Sequence, residues 1–188
     1  MERKTYKNVI ENKNCIIVAL AEMMKSTPFS EIKVVDVCKK AGVSKNTFYR
    51  HFTGLSDVIY QAVGEIDEQL FASVANISAE NPKLIIDLIC NAWYKNRVLF
   101  RGFTQSSVIY ITQEFIKKDA EKFFCLLHGG DGIEFFSEFS SAALCSFLCL
   151  WSRHDFADSP EKISLLIYKC LCENVFDAMR SFIAAQDC

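Results

Sequence analysis

The sequence predicts an all-α protein: an N-terminal three-helix helix-turn-helix unit and a C-terminal helical domain, about nine helices altogether. Three observations lead there. Apolar residues recur every three or four positions along most of the chain, as in Ile16, Leu20, Met23 and again in Val58, Ala62, Ile66, Leu70. Only 7 Gly and 3 Pro punctuate 188 residues, too few for a turn-rich β fold. The stretch VVDVCKKAGVSKNTFYRHF, Val34 to Phe52, reads as two short helices around a tight turn.

The first helix should run from about Lys7 to Ser26, burying Ile16, Leu20 and Met23 together with Ile17 and Met24. The residues before it, including Arg3, Lys4 and Lys7, read as a frayed basic terminus. Thr27 and Pro28 stop the helix, and Phe29 and Ile32 anchor the chain to the core as it enters the motif. Val34, Val37, Cys38 and Ala41 give the second helix its apolar face, and Gly42 supplies the left-handed backbone position that ends it. Val43 fills the angle between the helices. Ser44 is suited to cap the third helix, its hydroxyl accepting from the amide of Asn46 or Thr47.

In that third helix Phe48 and Phe52 face inward, which leaves Lys45, Asn46, Thr47, Tyr49, Arg50 and His51 on the outer surface. No carboxylate occurs from Lys39 to Thr53. Such a face can meet phosphates through Lys45, Arg50 and Tyr49, and base edges through Asn46 and Thr47. The competing reading is a helical hairpin with a merely solvated basic face. The run AGVSKNTFYRHF, Ala41 to Phe52, closely resembles the DNA-binding motif of TetR-type (tetracycline-repressor-like) transcriptional regulators.

The resemblance is strong over about residues 9–70 and beyond them rests on helix order. It implies a DNA-binding domain over 8–70, with the motif at 33–52, and an effector-binding and dimerisation domain over 71–188. It also implies a dimeric regulator, usually a repressor, that leaves DNA when a small molecule enters the C-terminal domain. By this likeness Asn46 and Thr47 lie near base edges, whereas Tyr49 and His51 are largely phosphate-directed. The DNA-contacting set is then Lys33, Ser44, Lys45, Asn46, Thr47, Tyr49, Arg50 and His51. Two departures stand out. Lys33 occupies a place where the family often has Thr, losing a cap hydroxyl but keeping a charge for phosphate. Leu55 replaces the usual Lys at the start of the fourth helix, removing one phosphate contact.

Charge supports this polarity. Residues 1–60 hold 10 Lys and Arg against 6 Asp and Glu, a net +4, while the remaining residues hold 11 against 17, a net −6. A basic N-terminal third on an acidic body suits a protein that meets polyanions at one end.

The fourth helix, with Ser56 or Thr53 as cap and Asp57 near its positive end, should reach about Asn76. A polar break at 77–81 and Pro82 open a segment over 82–103 that is rich in aromatic residues. A helix follows over about 105–127, with Ile109, Phe115, Ile116, Phe123 and Leu126 inward. Gly129 to Gly132 reads as a plain loop, lacking the Lys-Ser/Thr and preceding strand of a phosphate cradle. Trp93, Tyr94, Phe100, Phe103, Tyr110 and Phe115 are the candidate effector-contacting residues, implying a hydrophobic or aromatic molecule, although each also suits a plain core.

The last two helices, 133–151 and 160–185, are apolar on more than one face and call for a second partner. A homodimer built on a four-helix bundle supplies it, with Phe139, Ala143, Phe147, Leu150, Trp151, Ile167, Leu171 and Val175 as its candidate interface. Its two recognition helices would then read a near-palindromic double-stranded operator in successive major grooves, about 34–36 Å apart.

Other chemistries find less support. The nine cysteines are odd in number and sit mostly in apolar helical patterns, as reduced core thiols do. Cys145 and Cys149, or Cys170 and Cys172, offer a metal or redox site, but no paired His completes a set, and His128 and His154 stand alone. No nucleophile elbow, HExxH or dinucleotide fingerprint is present, so neither catalytic residues nor a cofactor is expected. The apolar run Cys15 to Met24 is short and lacks a cleavage-like site, and no stretch reaches the ~18 uninterrupted apolar residues of a membrane span. The expected location is cytoplasmic. The competing function is a helical sensor or binding protein, for a thiol-reactive species, a metal or a hydrophobic ligand, whose motif no longer engages DNA.

Overall fold

The structure, a computed structural model, describes residues 2–74, 81–106, 108–128 and 133–171. The expected loop at Gly129 to Gly132, the polar break at 77–80, and Val175 and Phe182 lie outside them. The described residues form nine α-helices and no strand: α1 Glu2–Met24, α2 Val34–Ala41, α3 Lys45–His51, α4 Leu55–Val74, α5 Pro82–Lys95, α6 Arg97–Gln105, α7 Tyr110–His128, α8 Ile133–Arg153 and α9 Pro160–Leu171. A 3-10 turn, Phe29–Glu31, joins α1 to α2.

The chain divides into two compact units, Met1–Asp67 with Asn96–Phe115, and Glu68–Lys95 with Ile116–Cys188. The division falls inside α4 and inside α7. The first unit is built on α1, whose Ile16, Ile17, Leu20 and Met24 are buried as expected; Met23 is only half-buried. The helix begins earlier than expected, at Glu2, because nothing in ERKTYKN breaks a helix. The basic residues Arg3, Lys4 and Lys7 thus belong to a helix and not to a frayed arm.

α6 packs against α1. Gly102 makes this possible: a Cβ there would come within 2.7 Å of the Ala21 carbonyl oxygen and 3.3 Å of the Ala21 Cα. The Ser106 hydroxyl donates to the carbonyls of Met24 (2.9 Å) and Thr27 (3.4 Å), satisfying groups that the end of α1 leaves open. Phe100 and Phe103, edge to face at 6.0 Å, are fully buried on the same helix.

The apolar segment expected over 82–103 is two helices, interrupted at Asn96. α7 starts at Tyr110 and not near Gln105; Ile111 and Thr112 are its most buried early positions, and Val108 is buried just before it. Ile109, Phe115 and Ile116 are half-buried.

In the second unit α5 and α9 pack together. Lys83 and Asp87 on α5 form an ion pair, and the buried Ser164 hydroxyl of α9 accepts from Lys83 and donates to Asp87. Burial alone would raise the Asp87 carboxyl, but the hydrogen bonds of Lys83 and Ser164, with the Lys83 charge, outweigh it and hold it below the ordinary value. Tyr94 stacks on Trp151 at 5.9 Å, Trp151 meets Phe156 at 4.9 Å, and the indole N–H donates to the Asp158 carbonyl at 3.0 Å. The end of α8 is closed by Phe156 donating its amide to the Trp151 carbonyl, with Asp155 and Phe156 at φ 58° and 54°. α8 is long and apolar enough to cross a membrane by length and composition alone, yet it carries Glu134 and Glu138 and buries Phe136, Leu144, Cys145, Leu148 and Trp151 in the protein.

Candidate nucleic-acid interface

α2 ends at Gly42, whose φ of 69° and ψ of 28° place it in the left-handed region; its amide and that of Val43 donate back to the last turn of the helix. Two residues later Ser44 caps α3, its Oγ accepting from the Thr47 amide at 3.0 Å. These two local features fix the angle at which α3 leaves α2. Phe48 and Phe52, with rings 5.7 Å apart, are fully buried beneath α3 and hold it against the unit.

The opposite side of α3 is open. Lys45, Asn46, Tyr49 and Arg50 are exposed, Tyr49 by 58%, and Ser44 and Lys33 are exposed as well. Thr47 is half-buried and its hydroxyl lies 3.0 Å from the Ser44 Oγ, so it shares in the cap. Asn46 presents an exposed side-chain amide, a group of the kind that pairs with base edges. Lys33 occupies the N-cap of α2 and makes no side-chain cap bond, as the loss of a hydroxyl there leads one to expect. Leu55, the other departure from the family pattern, is half-buried at the start of α4.

His51 differs from its neighbours. The side chain is half-buried and its Nε2 is enclosed without a hydrogen-bond partner. Burial, then the charges of Arg50 and Lys13, push the imidazole below its ordinary pKa. The backbone carbonyl of His51 accepts from Gln61 of α4, which also donates to Asp57. Asp57 accepts from the amide and hydroxyl of Thr53. Burial would raise the Asp57 carboxyl; these hydrogen bonds and the Lys13 charge overcome that and lower it. Lys13 of α1 is paired with Glu65 of α4, its Nζ 6.0 Å from the centre of the Phe52 ring.

Sequence reasoning reached Asp57 only as a helix-terminal charge and did not reach Gln61 or Lys13 at all. Their roles depend on α1 and α4 converging on the end of α3, and spacing along the chain carries no trace of that. The one sequence signal was Asp57 and Gln61 standing four apart on a helix.

Residues 16–57 match the family of bacterial regulatory proteins described as the tetR family. Over these residues the chain is similar to the TetR family. A curated relative, the nucleoid occlusion factor SlmA of Marinomonas sp. (strain MWYL1), is 33% identical over 70 residues, covering 37% of this chain and 36% of SlmA. The chain thus matches about a third of that relative's length. Among solved structures, a TetR-family transcriptional regulator from Syntrophomonas wolfei superposes with a TM-score of 0.69 at 12% identity, over 85% of this chain and 92% of that one. NalD, the secondary repressor of the MexAB-OprM multidrug efflux pump in Pseudomonas aeruginosa, gives 0.64 at 13% identity, over 87% and 95%. At these identities the likeness establishes a shared TetR-type fold. The family and these neighbours are regulators, not enzymes.

The remaining candidate residues lie elsewhere in the chain. Trp93 is buried and Tyr94 partly exposed in the second unit; Phe100, Phe103, Tyr110 and Phe115 belong to the first, the two Phe of α6 buried, Tyr110 exposed and Phe115 half-buried. Of the expected interface residues, Phe139 and Leu150 are exposed, and Ala143, Phe147 and Leu171 half-buried. Trp151 and Ile167, at 2% and 0% exposure, belong to the chain's own core; the apolar lines of α8 and α9 are wide enough to serve two faces, and the spacing does not say which line turns inward. The thiols of Cys90 and Cys145 are pushed up to about 12, mainly by burial. Such groups are poor thiolates. Among the described residues no three His, Cys, Asp or Glu gather as metal ligands do.

Proposed function

We propose that the protein is a homodimeric, ligand-responsive transcriptional regulator of the cytoplasm that represses by occupying a near-palindromic operator. Residues 8–70 carry the DNA contacts, and 71–188 carry effector binding and dimerisation. The observation that carries the reading is the outer face of α3: Lys45, Asn46, Tyr49 and Arg50 stand exposed, free of carboxylates, on a helix held from beneath by Phe48 and Phe52.

Dimerisation is supported by apolar side chains that the protomer leaves uncovered on its last two helices. Phe135 is 83% exposed, and Phe139, Leu150, Leu165 and Leu166 are each about half exposed. On α8 the bulky Phe139 and Leu150 flank Ala142, Ala143 and Ser146, a small-residue centre that lets a second helix approach closely. The effector is a hydrophobic or aromatic small molecule, with Trp93 and Tyr94 the aromatic contacts of the second unit. Its leverage equals its differential affinity for the DNA-competent and DNA-incompetent arrangements.

Selection of genomic fragments on the purified protein tests this. The expected outcome is enrichment of near-palindromes whose half-sites lie about one helical turn apart. Fragments no more enriched than with a Lys45→Ala, Tyr49→Ala double variant would overturn the reading.

A further inference from the structure

Among the described residues no anion stabilises the charged form of the His51 imidazole, and this bears on how the face of α3 meets a duplex. His51 is the last residue of α3, beside the exposed Arg50 and two positions from the exposed Tyr49. Its Nε2 is enclosed and unpartnered, leaving Nδ1 as the nitrogen that solvent reaches. Among the described residues, few charged or titratable groups surround it. On α3, Arg50 adds a positive charge. From α1, Lys13 adds a second, and Glu65 of α4 pins it in place. α4 otherwise presents Gln61, which is neutral and bonds the His51 carbonyl, and Asp57, whose oxygens are taken by Thr53 and Gln61. No charge of α2, which also packs on α3, acts on the ring.

Every one of these features favours the neutral ring in the free protein. An external polyanion reverses the balance: it neutralises the exposed Arg50 and offers an acceptor to the accessible side of the ring. We propose that His51 couples duplex docking to the uptake of one proton, becoming an imidazolium that donates to a backbone phosphate. The inference rests on the DNA-binding reading above and adds to it a dependence on pH. The proton comes from solvent, and no bond other than N–H is made. Because the bound-state pKa lies above the free-state one, affinity is greatest at low pH and falls as pH rises through the interval between them.

The test is binding of the full-length protein to a mixed-sequence duplex at constant ionic strength from pH 5.5 to 8.0, for wild type, His51→Gln and His154→Gln. His154 lies in the exposed turn after α8 and serves as the control. The expected result is an affinity falling about three- to ten-fold across that range in wild type and His154→Gln, and nearly flat in His51→Gln. An equal slope in His51→Gln overturns the proposal. In parallel, the His51 imidazole resonance of the wild type, titrated with and without duplex, should show its midpoint moved upward by the DNA; an unmoved midpoint overturns the proposal even if His51→Gln fails to fold. Absence of duplex binding at every pH would instead strike the DNA-binding reading itself.

Discussion

Gly102 of α6 lies so close to Ala21 of α1 that any Cβ at 102 would stand 2.7 Å from the Ala21 carbonyl oxygen. The obstacle is backbone, which cannot swing aside as a side-chain tip does. Gly102→Ala should therefore destabilise the protein by about 1–3 kcal/mol, the range for overpacked cores. Gly64 on α4 is the contrasting case, since a Cβ there meets the Phe115 ring at an ordinary 3.6 Å. Gly64→Ala should raise stability by about 0.5–1 kcal/mol through helix propensity. Thermal melts of the two variants check the opposite signs.

The turn before α3 makes a second prediction. Ser44→Ala removes the acceptor of the Thr47 amide and should cost about 1 kcal/mol. Gly42→Ala places a Cβ in the left-handed region at φ 69° and should cost about 1–2 kcal/mol, although nothing lies within 4 Å of that Cβ. Chemical denaturation measures both; DNA affinity should fall along with stability, since the same turn aims α3.

Asp87 predicts a pH dependence. Its folded-state pKa is depressed below the ordinary aspartate value, so its contribution is complete above that value and is lost as pH falls through the depressed one. Asp87→Asn should lower stability near neutrality and flatten the acid limb of the stability profile. A variant whose acid limb matches the wild type would show that the Lys83–Asp87–Ser164 cluster does not bind α5 to α9.

The uncovered residues of α8 predict a change of assembly. Phe139→Glu or Leu150→Glu should shift the sedimentation profile from dimer to monomer and leave the helical content unchanged, because both side chains are exposed in the protomer. The same substitution at Trp151 should unfold the second unit instead, as that ring is buried against Phe156 and Tyr94.

The helix-turn-helix was legible in the sequence because its determinants are local. Gly42 and Ser44 act within four residues of themselves, and the burial of Phe48 and Phe52 follows from their spacing. Most of the α1 stripe could be read for the same reason. The packing of α6 on α1 could not: it joins Ala21 to Gly102 and Met24 to Ser106, residues about eighty positions apart, and a glycine in a helical run announces no particular neighbour. The break at Asn96 was also hidden, since apolar residues continue on both sides of it. At the site, the outward set on α3 was readable but the enclosure of the His51 Nε2 was not, because α3 alone would leave that ring exposed.

In the proposed function the outer face of α3 binds duplex DNA through its cations. The salt dependence of binding to a mixed-sequence duplex tests it most directly. The logarithm of the binding constant should fall linearly with the logarithm of salt concentration, and Lys45→Ala or Arg50→Ala should each make the slope shallower by about 1. Binding that ignores salt, or a slope that neither substitution changes, would contradict it.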